Sequence, residues 1–149
     1  MIQELKDRFS SIPVEERGRI SVLVPGSGLG RLAFDIAHEG FSSQGNEFSY
    51  YMLLASNFIL NKTKHVNQFR IFPYVHSFSN IVKPDDVLTE ALIPDVNPSE
   101  IPRGTDFSMV AGDFIEVYGL EQENFGKERS VILDTICLVL EDEMRCQMY

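Results

Sequence analysis

The chain has 149 residues, 44% of them hydrophobic, which is enough for one domain with a core and too few for two. Its net charge of -9, with 23% charged residues, makes the surface repel phosphate backbones and anionic headgroups, so nucleic acid and membranes are excluded as first partners. No apolar run approaches the roughly 20 residues that span a bilayer, and Met1 to Ser10 is charged and amphipathic rather than signal-like.

Ile2, Leu5 and Phe9 recur at helical spacing before Pro13 and Gly18 interrupt them, so residues 1–18 read as a helix and a turn that serve packing. Residues 19–149 follow as one α/β unit. Ile20 to Val24 is an uncharged, β-branched run, as expected of a strand buried on both faces of a parallel sheet. The turn PGSGLG, Pro25 to Gly30, comes next, and Leu29, Leu32, Ala33, Ile36 and Ala37 then form the apolar stripe of a helix that Gly40 can close in a left-handed cap. Phe41 to Gly45 is a second strand candidate ending at Asn46 and Glu47, with Ser49 as a cap for the next helix. Tyr50 to Leu60 is apolar almost all round, which predicts a helix buried against the sheet. The proline-rich stretch 61–104 is too long for a simple connection and reads as an insertion with local structure or a functional loop. Phe107, Met109 and Ala111 alternate in a third strand that ends at Gly112, Asp113 and Phe114, and Val131 to Leu140 offers a fourth.

Three features fall at the carboxyl ends of three successive strands, where open α/β sheets bind ligands. Gly26, Gly28 and Gly30 stand between a strand and a helix, where they allow a sharp turn and close backbone approach to a nucleotide; a tight strand-to-helix turn with no ligand would use the same residues. Glu47 lies about twenty residues on, where a carboxylate can accept both hydroxyls of a ribose, although a strand-end acid often only meets solvent or caps a helix. Asp113 can accept from an adenine amino group while Phe114 covers the base, or can simply terminate its strand. Together they favour an adenosine-containing ligand. The dinucleotide fingerprint G-x-G-x-x-G would need glycine where Arg31 stands, which lowers the reading of an NAD-dependent oxidoreductase without removing it.

The stretch VLVPGSGLGRLAFDIAHEGFSSQGNEFSYYMLLASNFILN, Val22 to Asn61, resembles the carnosine N-methyltransferase family, as do PYVHSFSN, Pro73 to Asn80, and MVAGDFIEVY, Met109 to Tyr118. The resemblance implies a Rossmann-like class I methyltransferase fold, a parallel sheet with flanking helices, of which this chain carries the first half, strands one to three or four. It implies S-adenosyl-L-methionine as cofactor, held by Gly26 and Gly28 of the turn, Glu47, Asp113 and Phe114. It also implies a small-molecule substrate, carnosine or a related histidine-containing dipeptide, methylated on the imidazole to give anserine. His76, between Tyr74 and Phe78 in a shared segment, is a substrate-pocket candidate, with a structural hydrogen bond as its plainer role; the catalytic residues are unassigned.

The chain also departs from the family. Ser130 stands where the family has a cofactor-contacting cysteine if Leu133–Thr135 is matched to its IDT, the sequence from about 119 onward diverges, and the family's N-terminal helical region is absent. A half sheet leaves the edge of its central strand and its apolar helix faces open, which invites pairing, a homodimer included. The alternative reading is therefore a non-catalytic truncated fragment that binds cofactor or pairs with another chain. His38 suits the C-terminal dipole of its helix, His65 and Asn67 are surface polar groups, and Glu141, Asp142 and Glu143 form a solvated face. Cys137 and Cys146 form neither a disulfide framework nor a metal motif, so no metal is expected, and the expected compartment is the cytoplasm, with the nucleus as a second.

Overall fold

A computed structural model of the chain describes residues 1–76 and 83–118 and the backbone of 130–132. It divides into two units, Met1–Ser56 with Ile101–Tyr149, and Asn57–Glu100.

The first unit is built on a parallel sheet of order β5-β2-β1-β6, with β1 at Ser21–Pro25, β2 at Ser42–Glu47, β5 at Phe107–Ala111 and β6 at Ser130–Ile132. It is an α/β fold with the parallel sheet that the strand pattern predicts, the partial Rossmann-like sheet that the family resemblance implies. Val22, Leu23 and Val24 are buried, as the uncharged β1 run demands of a central strand. The outer edge of β1 is not left open, because Ser21, Val22 and Leu23 pair with Ser130, Val131 and Ile132. The rest of the Val131–Leu140 run, both cysteines and the tail acids lie outside the described residues.

One apolar cluster joins helix α1, Ile2–Arg8, and helix α2, Arg31–His38, to the sheet: Leu5, Ile20, Val22, Val24, Ala33, Ile36 and Phe41, flanked by Ile2, Phe9, Ile12, Leu32 and Phe107. Leu32, Ala33, Ile36 and Ala37 of the stripe and the triplet on α1 thus serve the core, as their spacing predicts, but Leu29, read as the first residue of that stripe, lies in the turn before α2 and is exposed. Gly40 closes α2 at φ +93°, the left-handed cap for which glycine has no steric penalty. Phe34 meets Phe107 edge-on with centroids 6.1 Å apart, and the Arg17 guanidinium lies 5.3 Å from the centre of the Phe41 ring.

Helix α3, Tyr50–Lys62, overturns one expectation. Its sequence is apolar all round, yet only Ser56 is buried, while Tyr51 is 86% and Leu54 69% exposed. Apolarity states what a helix needs to bury; in this chain the described residues cover a single line of it. The second unit pairs β3, Phe69–Ile71, antiparallel with β4, Ala91–Ile93, so the stretch read as an insertion with local structure or a functional loop contains a two-stranded sheet.

At the amino-terminal edge of the main sheet, Ser42 Oγ donates to the Gly18 carbonyl at 2.6 Å and accepts the Asp106 N–H at 3.1 Å. Gly18 is there for space, since a Cβ on it would collide with the Gly104 carbonyl oxygen. Gly18→Ala is expected to lower the unfolding free energy by about 1–3 kcal/mol, the usual cost of overpacking, as read from urea titration of both proteins; an unchanged midpoint would mean that the 104 loop yields freely.

Candidate functional site

At the opposite edge three loops follow the ends of β1, β2 and β5. The first is the glycine turn. Gly26, Gly28 and Gly30 have φ of +60°, +57° and +86°, a region in which an L side chain is strained. They differ in their surroundings. A Cβ at Gly26 or Gly28 would meet nothing within 4 Å, so the backbone there faces open space, whereas at Gly30 it would crowd Met109 Sδ at 3.1 Å and Ser56 Oγ at 3.4 Å. Ser56 Oγ is buried beneath the turn without a hydrogen-bond partner among the described residues. Gly26 and Gly28 thus keep a face of the turn clear, and Gly30 lets the turn settle onto β5.

The second loop carries Glu47, the last residue of β2. Its Oε2 accepts the Gly28 N–H at 2.7 Å and its Oε1 accepts the Ser49 N–H at 2.8 Å. Both oxygens are therefore oriented by backbone donors, one from the glycine turn and one from its own loop. A carboxylate offers about four acceptor directions. With two occupied, two remain for a ligand with adjacent hydroxyls.

The third loop carries Asp113. Its Oδ1 accepts the N–H groups of Ile115 at 2.8 Å and Glu116 at 3.2 Å, capping the short helix α4, Phe114–Tyr118. Both bonds fall on one oxygen. The Phe114 ring packs on Tyr118 with centroids 5.4 Å apart, and the Tyr118 hydroxyl donates to Gln44 Oε1 at 2.6 Å on β2. Burial pushes the Tyr118 phenol above its ordinary pKa, which keeps it a donor.

The geometry adds residues that sequence reasoning passed over. Asn46, 2% exposed, accepts the Ser27 N–H on its backbone carbonyl at 3.0 Å and sends its side-chain Nδ2 to the carbonyls of Gly112 at 3.1 Å and Val110 at 3.4 Å. Gly45 leaves room for the turn, because a Cβ on it would stand 2.5 Å from Met109 Sδ and 2.7 Å from Ser27 Oγ. The segment QGNEFS contained the signal, a glycine beside a buried amide, but the partners are more than sixty residues away and leave no local pattern. Phe48, next to Glu47, and Ile115, next but one to Asp113, are 72% and 76% exposed and give these loops an apolar rim.

The other candidates stand apart. His76 is exposed in the second unit, with Phe78 and Asn80 of its segment outside the described residues. His38, His65 and Asn67 are exposed as well. Among the described residues no three His, Cys, Asp or Glu side chains group to hold a metal, and no helix is long and apolar enough to cross a membrane.

A parallel sheet whose first strand feeds an open glycine turn, and whose second ends in a carboxylate fixed by that turn, defines a partial Rossmann-like α/β fold. The family model described as "Carnosine N-methyltransferase" matches residues 1–135, and the chain belongs to that family. A carnosine N-methyltransferase of Schizosaccharomyces pombe is 60% identical over 122 residues, covering 81% of this chain and 32% of the relative. Those of Mus musculus and Dictyostelium discoideum are 43% and 46% identical, over 76% and 83% of this chain and 29% and 27% of theirs. The chain spans about a third of the length of these curated relatives.

Glu47→Ala strands the Gly28 and Ser49 amides at once. It is expected to cost about 1–3 kcal/mol of stability and to speed hydrogen exchange at both amides, measured by NMR on the ligand-free chain; unchanged exchange would mean that water replaces the carboxylate without loss.

Proposed function

We propose that this edge is the S-adenosylmethionine site of a methyltransferase that methylates the imidazole of carnosine, to give anserine, and of related histidine-containing dipeptides. The observation that carries the reading is the Glu47 carboxylate held by the Gly28 and Ser49 N–H groups beside a glycine turn that faces open space. Membership of the carnosine N-methyltransferase family and likeness to relatives of that name support the substrate class.

The residues fit such a cofactor. Gly26 and Gly28 let the backbone approach it without an intervening side chain, and the positive end of α2 points toward the same turn. Glu47 accepts the ribose hydroxyls through its two remaining acceptor directions. Asp113 accepts the adenine amino group on the oxygen that does not cap α4, and Phe114 covers the base. When bound, the cofactor supplies an electrophilic methyl group on a sulfonium. The acceptor needs little acid-base help, because a neutral imidazole, whose free pKa is about 6.5, is already nucleophilic at physiological pH. What the chain contributes is position, a bound methyl donor held in line for the acceptor nitrogen. His76, in the segment 61–104 that we read as an insertion, is the candidate contact to the dipeptide.

A second reading, a non-catalytic module that binds cofactor or pairs with another chain, is favoured by the apolar side chains of α3 that no described residue covers, Tyr51 and Leu54 among them. Calorimetric titration with S-adenosylmethionine and S-adenosylhomocysteine separates the two. Binding by the chain, weakened by about 1–3 kcal/mol in Glu47→Ala and in Asp113→Ala, together with methylation of carnosine, is the expected result. Binding without turnover would establish the module, and no binding by a demonstrably folded chain would overturn the cofactor assignment.

A further inference from the structure

The end of β2 contains a buried polar group that touches no ligand position yet bonds to the loops on either side. Asn46 pairs in register with Pro25 of β1, the last rung of that ladder, and with Val110 of β5, one rung before Glu47 and Ala111 end theirs. Its carbonyl takes the Ser27 N–H at 3.0 Å and the Ser27 hydroxyl at 3.3 Å, fixing the glycine turn on one side. Its Nδ2 donates to the Gly112 and Val110 carbonyls at 3.1 and 3.4 Å, fixing the loop before Asp113 on the other. The neighbouring backbone completes the lattice, since the Gly112 N–H donates to the Glu47 carbonyl at 3.1 Å. Two carbonyl acceptors on one side-chain atom require the amide nitrogen there, which only asparagine supplies at this reach.

We propose that Asn46 is the positioning residue of the cofactor edge: its side-chain amide sets the spacing between the Glu47 and Asp113 loops, and its backbone carbonyl seats the glycine turn against them. The inference rests on the reading of this edge as the S-adenosylmethionine site. It extends that reading to a residue that meets the cofactor only through others. Without the amide, the Gly112 and Val110 carbonyls lose their donor, and the Asp113 loop is free to drift from the carboxylate it must act with. A displacement of a fraction of an ångström between two groups that grip opposite ends of one ligand costs affinity even where the fold survives.

The same strand carries a matched control. Ser42, at the other end of β2, also ties its strand to its surroundings through a buried side chain, on Gly18 and Asp106, but at the edge away from the loops. The test compares Asn46→Asp, of equal size but with no donor when ionised, Asn46→Ser, which retains one donor, and Ser42→Ala. Each is measured for urea stability, for S-adenosylhomocysteine affinity well below its melting point, and for ligand-free hydrogen exchange at the amides of Gly112, Ile115 and Glu116.

The expected result is affinity reduced roughly tenfold or more in Asn46→Asp and less in Asn46→Ser, as for loss of a buried hydrogen-bond partner. Exchange at 112, 115 and 116 accelerates in the same order. Ser42→Ala loses comparable stability with unchanged affinity and unchanged exchange at those amides. Equal affinity loss in Ser42→Ala, or affinity in Asn46→Asp that equals the parent's once folded, would overturn the proposal. Should Asn46→Asp fail to fold, the Asn46→Ser and Ser42→Ala pair decides by the same comparison. Should the parent chain bind no ligand, the cofactor reading fails by itself, and the exchange pattern still decides whether Asn46 orders the Asp113 loop.

Discussion

The Glu47 carboxylate, gripped by N–H groups of Gly28 and Ser49, is the contact on which the candidate site depends. A glycine turn alone is a way of joining a strand to a helix, and an acid at the end of a strand is a way of meeting water. Bonded to each other they become a single object, a turn whose open face lies beside a carboxylate of fixed orientation. The bond is also economical in geometry. A charged acceptor on a backbone donor is a strong hydrogen bond, and this one spans the gap between β1 and β2 where the sheet itself has ended. Because the donor belongs to a residue at φ +57°, the turn can offer its N–H to Glu47 only in a conformation that glycine adopts without strain.

Most of the sheet was legible from the sequence because it rests on short-range regularities. The uncharged run at Val22 to Val24 and the stripe from Leu32 to Ala37 report burial through their own spacing, whereas the alternation at Phe107 to Ala111 locates its strand but not its burial, since Phe107 and Met109 are half-buried and Ala111 is exposed. Gly40 likewise announced its cap. Helix α3 was misread for an instructive reason. Hydropathy counts the apolar faces of a segment, but cover for those faces comes from elsewhere, and among the described residues it reaches only the line of Ser56. The β3–β4 pair went unread because three-residue strands carry too little alternation to stand out among prolines.

At the site, legibility divided along the same line. Gly26, Gly28, Glu47 and Asp113 lie where strands end, and strand ends can be located from pattern. Their partners cannot. That Glu47 faces Gly28 across nineteen positions, or that Asn46 reaches Gly112 across sixty-six, follows from strand order and register, neither of which periodicity records. Asp113 combines both kinds of information. Its cap on Ile115 and Glu116 is local, of the sort that sequence suggests for an aspartate before a helix, and it uses only one oxygen. The capping bonds therefore orient the side chain through Oδ1 and leave Oδ2 outside the cap.

The division of labour within this edge follows from the chemistry proposed for it. Methyl transfer to a neutral imidazole asks for no strong base and no covalent nucleophile, so a site for it is judged by how firmly it holds distance and direction. The groups that do so here are mostly backbone: the Gly28, Ser49, Ile115 and Glu116 N–H groups and the Asn46, Glu47 and Gly112 carbonyls. Backbone groups at the ends of paired strands move less than side chains on a surface, since each is anchored by the ladder behind it. A carboxylate or amide that bonds to them inherits that stiffness. On this argument the side chains that matter most at the edge are those, like Glu47 and Asn46, that convert the rigidity of the sheet into the placement of loops the sheet does not reach.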